Sequence, residues 1–415
     1  MAQIIGKTQS ACLLIGALLL SAASANASVE ISANATKNMN CTAGVCTPTA
    51  KNAVLNVTDL ANMLASDDTT IKSTSQNLDI DIQTTLSWIS TSRLTLYAYQ
   101  SIEIEKPVTV AGTGAMTLIT NEGGTGGDVI FNDKGNVTFW DLASSLVING
   151  STYVLVDDID TLSAAIANNP KGDYALANNF DAGKKTYRGS PISTIFYGQF
   201  EGLGNSISNL SIKDVIGNQQ QDYEGFFSWI TSGATVENLN LLHVKMSTKS
   251  PYANEVMGAL IGYNQGSVIN NIVSGKIDGS TNQFASDYVG GLVGRNEGSI
   301  TRSRSSAKIT YGDVAGGLVG VNYGMLSDSS ASGAVDSAGN AGGLTGDAGA
   351  GQGVIANSFA TGAVSNSKVP SWLEGFLGGL VGSNGGKVLN SFATGSVTEF
   401  NTSTAGGLFG HNEAA

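Results

Sequence analysis

Between residues 78 and 110 the segments LDIDIQTTLSWI, RLTLYAY and IEIEKPVTV alternate apolar and polar side chains and are separated by polar turns. A period of two turns one face of each run toward a core, so these read as short, half-buried strands. Two strand pairs follow, MTLIT with VIF and VTFW with LVINGSTYVLV. Helical spacing is confined to residues 158–169, where Leu162, Ala165 and Ile166 share a face and Pro170 ends the run. A short capping or lateral helix on a β structure fits that position.

From residue 198 a longer period takes over. GALIG at 258 returns as GGLVG at 290, 316 and 378, GGLTG at 342 and GGLFG at 406, at intervals of 32, 26, 26, 36 and 28 residues. A second phrase follows all but the last, opening at Gly266, Gly298, Gly324, Gly353 and Gly386. Counted from that glycine, +2 is Val, Ile or Leu, +7 is Val, Ser or Ala, +9 is Gly or Ala, and +11 is Ile or Val. Positions +7, +9 and +11 then line the inward face of one short strand, with small residues where the coil is narrow. Stacking each strand on its copies at about 4.8 Å buries that face and closes the backbone hydrogen bonds. A propeller blade needs about 40 to 45 residues, whereas an interval of 26 suits one coil of two or three short strands. The predicted fold is all-β, a β-solenoid of stacked repeats over 198–415. Residues 78–197 form an irregular β-rich segment of it with one short helix, behind an N-terminal cap region at 28–77.

Asn264, Asn296, Asn322, Asn384 and Asn412 follow the first phrase, and Asn270, Asn357 and Asn390 stand at +4 of the second. Stacked amides of this kind form ladders at coil corners. The two long intervals place insertions between Ile277 and Gly290 and between Val364 and Gly378, expected on one face three coils apart. The first carries Phe284 and Tyr288, the second Pro370, Trp372 and Phe376. These aromatic residues are candidate ligand-binding loop positions, and covering an edge of the solenoid is an equal alternative.

Composition agrees with a stacked coil. The chain has 53 Gly, against about 29 at average usage, and 39 of them lie in residues 198–415. Its 35 Asn outnumber the 21 Lys and Arg together, which disfavours helical bundles. A net charge of −12 and a pI near 4.6 disfavour nucleic acid as a partner. At the N-terminus Lys7, the apolar run 11–20 and the small residues ending at Ala27 have the order of a secretory signal over residues 1–27. The apolar run is too short to span a bilayer, and no transmembrane segment is expected in the mature chain. Export places Cys41 and Cys46 in an oxidising compartment, where their spacing and Gly44 predict a disulfide.

GGLVG-x-N joined to N-S-x-A-x-G-x-V resembles the GLUG motif of bacterial secreted and surface proteins. The stretches YALANNFDA from Tyr174, FYGQFEGLGNSISNLSI from Phe196 and LSWISTSRLTLYAYQSIEIEKPV resemble filamentous-haemagglutinin-like adhesins. Together the similarity covers residues 78–412. It implies a right-handed parallel β-helix, secreted or displayed on a Gram-negative surface, that binds an extracellular ligand such as a glycan or host surface. The NPNG-type motif of two-partner secretion is missing, and the repeat stops at GGLFGHNEAA before its second phrase. A continuation of the chain, or a partner over the open edge, is therefore expected.

Catalysis is the competing class, because β-helices also carry polysaccharide lyases and hydrolases. That chemistry needs carboxylates converging from adjacent coils. The acids of the repeats, among them Glu255, Asp287, Asp313 and Asp347, read as occupying different repeat positions, without forming one column. Arg302, Arg304 and Lys308 read as a solvated face, and His243 as a surface strand residue. GGTGGDVIF at 123–131 matches a calcium-binding nonapeptide with Asp128 as ligand, but such sites need tandem copies, so a glycine turn is favoured. A single Ser/Thr column, Ser274, Ser306, Ser332, Thr361 and Thr394, weakens an ice- or mineral-binding reading. The expectation is a non-catalytic module with no cofactor and no metal.

Overall fold

The computed structural model describes residues 27–132, 134–214, 222–248, 255–280, 287–349, 351–367, 375–400 and 403–413. Residues 1–26 of the expected secretory segment, and Phe284, Pro370 and Trp372, lie outside them. Strands dominate and pair in parallel through long sheets, so the all-β solenoid expected from the repeats is the fold.

The alternating region builds three coils of three strands: Ile80–Ile82, Leu86–Trp88 and Arg93–Tyr97; Ile102–Ile104, Val108–Val110 and Ala115–Ile119; Val129–Phe131, Val137–Phe139 and Ser145–Ile148. Register follows the apolar positions, with Ile80 opposite Ile102, Leu86 opposite Val108 and Leu94 opposite Met116, all buried. Ahead of these coils, strands Met39–Thr42 and Val45–Pro48 form a hairpin closed by the Cys41–Cys46 disulfide. Its turn residues Ala43 and Gly44 have φ of 50° and 75°. A helix not anticipated from sequence, α1 (Val57–Leu64), packs here. Asn56 caps it by accepting from the amides of Thr58 and Asp59, and Leu60 and Leu64, one turn apart, are buried.

The segment read as one strand, LVINGSTYVLV, is instead a hairpin. Strands Ser145–Ile148 and Ser151–Val156 pair antiparallel around Asn149 (φ 46°) and Gly150 (φ 88°). Asn-Gly supplies the two left-handed residues that a two-residue hairpin requires. Here the direction of the coil reverses. A first solenoid ends and a second begins, the two sharing a 15-stranded sheet. Most of the buried core divides into two clusters at this turn. The expected helix, α2 (Ile159–Asn168), follows, capped by Asp158, which accepts from the Thr161 amide at 2.8 Å.

In the second solenoid a coil carries five short strands where two or three were expected. Tyr288–Gly290, Val293–Asn296, Ser299–Thr301, Arg304–Ser305 and Lys308–Thr310 stack on Val314–Gly316, Val319–Asn322, Met325–Ser327, Ser330–Ala331 and Val335–Asp336. The inward positions behave as read: Ile300, Ser305, Ala307 and Ile309 are all buried. In this coil +7 and +11 lie on separate strands, Arg304–Ser305 and Lys308–Thr310, whereas one coil earlier Val273, Gly275 and Ile277 share the single strand Ile272–Asp278 as read. At the corner, a Cβ on Gly316 would stand 1.9 Å from the Val319 carbonyl oxygen, so the tight phrase admits only glycine there. The first asparagine column is a ladder of amides, buried at Asn264, Asn296, Asn322 and Asn384 and exposed at Asn412: Asn264 donates to Asn296 at 2.6 Å, Asn296 to Asn322 at 2.7 Å, and Asn384 to Asn412 at 2.6 Å. Ala348 interrupts it, and Asn322 donates instead to backbone carbonyls.

Candidate functional site

Because the chain doubles back, residues 128–136 of the first solenoid lie against a corner of the second. Backbones meet there: a Cβ on Gly204 (φ 72°) would be 2.4 Å from the Gly135 carbonyl oxygen. Amides lock the junction, with Asn136 donating to Asn205 at 2.9 Å and Asn205 donating to the carbonyls of Val137 and Leu176, each at 2.8 Å. Asp128 and Arg302, 174 positions apart, form an ion pair across the gap. Beside it runs a cleft of about 480 Å³, lined by Asn238, Asn240, Asn270, Arg302 and Arg304 together with the apolar Phe131 and Leu242. An open depression bordered by Lys106, Asn132, Lys134, Arg304 and Glu105 shares Asn132 and Arg304 with it.

One wall of the cleft is the second asparagine column. Asn238, Asn270, Arg302, Asp328, Asn357 and Asn390 occupy successive corners with φ between 47° and 57°. Asparagine tolerates this left-handed backbone, and its amide bonds up the column, as when Asn270 donates to Asn238 at 2.8 Å. Arg302 and Asp328 break the column where it faces the first solenoid.

Behind the wall stand two glutamates. Glu201 and Glu237 are register partners on adjacent coils, which sets their backbones about 4.8 Å apart. Glu201 is 2% exposed; one carboxylate oxygen accepts from the Leu203 amide at 2.6 Å and the other from Asn238 at 3.0 Å. Burial, and next the Glu237 charge, push its pKa well up. Glu237 is half-buried. Burial and then the Asp128 charge raise its pKa to about 7, against the opposing effect of Arg302. Both face a small cavity of about 140 Å³, also lined by Tyr153, whose hydroxyl donates to Gln199 at 2.9 Å.

The residues singled out in the sequence are scattered. Asp128, besides its ion pair, accepts from the Val129 amide at 2.9 Å. Tyr288 and Phe376 begin strands instead of lying on loops, because the insertions end just before the sheet resumes. They stand on one column three coils apart, and the Phe376 ring stacks on His411 at 4.6 Å. His243 is exposed. Lys308 is on a solvated face as expected, whereas Arg302 is committed to the junction.

The expectation that the repeat acids form no column is overturned. Asp222 pairs in register with Glu255, and Glu255, Asp287 and Asp313 each precede the stacked residues Val256, Tyr288 and Val314. All three lie three residues before the first phrase, a match hidden by counting from the second. Burial raises the Asp287 carboxyl to about 6, despite hydrogen bonds from the amides of Glu255 and Ser280. Among the described residues no three His, Cys, Asp or Glu side chains are grouped to hold a metal ion. A strip of rings also went unread: Tyr263 stacks on Tyr223 at 4.9 Å, with Trp229 at 5.1 Å and the Arg295 guanidinium 5.4 Å above it.

No helix among the described residues is long and apolar enough to cross a membrane. A comparison with curated proteins finds no match. Residues 285–310 match the GLUG motif, and that match covers one coil of the second solenoid, from Tyr288–Gly290 to Lys308–Thr310.

Proposed function

We propose that the protein is a secreted or cell-surface β-solenoid of a Gram-negative bacterium that binds an extracellular ligand, a glycan or host surface, without transforming it. The observation that carries this reading is the cleft between the solenoids. Its volume of about 480 Å³ lies within the range of small-ligand sites, and its walls carry amides, apolar faces and charged side chains of both signs, Arg302, Arg304 and Asp328. The cavity that holds the two glutamates, at about 140 Å³, is below that range, and both oxygens of Glu201 are already bonded within the protein. The secretory pattern at residues 1–27 and the Cys41–Cys46 disulfide support an oxidising, extracytoplasmic location. Likeness to the adhesin segments supports display and adhesion.

A carbohydrate-active enzyme is the second reading. It is favoured by Glu201 and Glu237 standing in register on adjacent coils, with one carboxyl raised to about 7. Glycan-array binding by the mature chain, run beside a polysaccharide turnover assay, separates the two. Binding without turnover is expected. Turnover that disappears in Glu237→Gln transfers the assignment to the enzyme.

A further inference from the structure

We propose that the junction between the two solenoids is a proton-controlled latch, closed while the carboxylates behind it hold protons and loosened as they ionise. The inference concerns the contact itself and stands whatever the neighbouring cleft binds.

Three carboxylates reach the junction from both sides. Asp128 comes from the first solenoid, Glu201 and Glu237 come from adjacent coils of the second, and all three line the cavity of about 140 Å³. The other titratable group on its wall is Tyr153, a hydroxyl kept neutral by burial first and by the Glu201 charge next. Asp173, paired in register with Gln199, adds a further negative charge nearby. Among the described residues no basic side chain lines the cavity. Arg302, the cation that acts on Glu237, is already bonded to Asp128. Full ionisation would set three negative charges against that one positive charge, and like charges this close resist ionising together.

The carboxylates are tied to the contact through the backbone. Glu201 accepts from the Leu203 amide at 2.6 Å and so holds Leu203 in a left-handed turn (φ 54°), and the Leu203 carbonyl accepts from the Val137 amide of the first solenoid at 2.9 Å. Phe139 donates likewise to the Ala177 carbonyl at 2.9 Å. Protonated, Glu237 leaves the Asp128–Arg302 pair undisturbed. Ionised, it repels Asp128 across the junction and competes for Arg302. Burial, and then the Asp128 charge, raise the Glu237 carboxyl from 4.5 to about 7. Opening the junction returns it to water and toward its ordinary value, so opening releases a proton and becomes easier as pH climbs through this interval.

Hydrogen exchange of the full chain, followed by mass spectrometry and expressed as protection relative to an unstructured chain at each pH, tests the latch. Peptides containing Val137 and Phe139 should lose protection at least tenfold between pH 5 and 7.5. At pH 7.5 they should be at least tenfold less protected than a peptide containing Leu292, a buried residue whose amide donates to the Leu318 carbonyl at 2.8 Å in the middle of the second solenoid. Low urea should lower protection at Leu292, which needs the whole chain to unfold, and leave Val137 and Phe139 nearly unchanged. In Glu237→Gln the loss with pH should be at least tenfold smaller. Asp128→Asn, which removes the carboxylate on the other side, should also reduce it, and thermal melting checks that each variant is folded. Protection at Val137 and Phe139 that does not change with pH, or that falls as steeply in both variants, overturns the proposal. Equal protection at Leu292 overturns it as well, because the junction would then open only when the whole chain unfolds.

Discussion

Replacing Glu237 by Gln should stabilise the protein, and by an amount that grows with pH. In the folded chain Glu237 sits behind the cleft beside Glu201 and Asp128, and burial followed by the Asp128 charge raises its carboxyl from the ordinary 4.5 to about 7. In the unfolded chain it titrates near 4.5. Below that pH both states hold the proton and the group imposes no penalty. Between 4.5 and 7 the unfolded state ionises while the folded state keeps its proton, so stability declines as pH rises; above 7 both are charged and the loss is complete. A rise of this size corresponds to up to about 3 kcal/mol. Glutamine keeps the shape and cannot ionise, so the stability difference between Glu237→Gln and the unaltered chain should climb across pH 4.5 to 7.5 and then level off. Urea unfolding at pH 4.5, 6, 7.5 and 8.5 measures it. A difference that is flat with pH, or that favours the unaltered chain at pH 8.5, would refute the reasoning.

Three further outcomes follow from the stacking. Asn296→Ala removes an amide that accepts from Asn264 and donates to Asn322, and leaving buried partners unsatisfied should cost about 2 to 4 kcal/mol in the same unfolding assay. Gly317 and Gly407 hold the same repeat position, yet an added Cβ meets the Gly343 carbonyl oxygen at 2.2 Å at the first and nothing within 4 Å at the second. Gly317→Ala should therefore cost about 1 to 3 kcal/mol and Gly407→Ala under about 0.5 kcal/mol; equal effects in thermal melts would contradict the stacking of the coil at 342–346 over Gly317. Replacing Cys41 and Cys46 together by Ala should raise hydrogen exchange in the neighbouring strand Thr69–Lys72, which pairs with the hairpin, while exchange in the second solenoid stays unchanged.

Much of this architecture is written locally. Repeats at a fixed period stack on themselves, so the inward positions +2, +7 and +11, the amide ladder from Asn264 to Asn322 and the corner glycines follow from one aligned set of phrases. The hairpin at Asn149-Gly150 was also marked, but apolar alternation continues across it and masked the turn. Helix α1 carried an N-cap at Asn56 and a Leu60/Leu64 pair, short signals overshadowed by the surrounding β pattern. The cleft is different in kind. It exists because the reversal at 149–150 lays residues 128–136 against corners 69 to 174 positions later. No periodicity relates Asp128 to Arg302. Glu201 and Glu237 stack although they precede the recurring GGLVG phrases, so aligning those phrases does not reveal them.

The central functional claim is retention of a glycan without chemistry at the carboxylates behind the cleft. The most direct measurement is the mass of an oligosaccharide recovered from its complex with the mature chain after prolonged incubation. The parent mass should be recovered unchanged, with a bound fraction that falls in Asn270→Ala, which alters a cleft-lining amide. Recovery of shorter fragments whose formation stops in Glu237→Gln would contradict it.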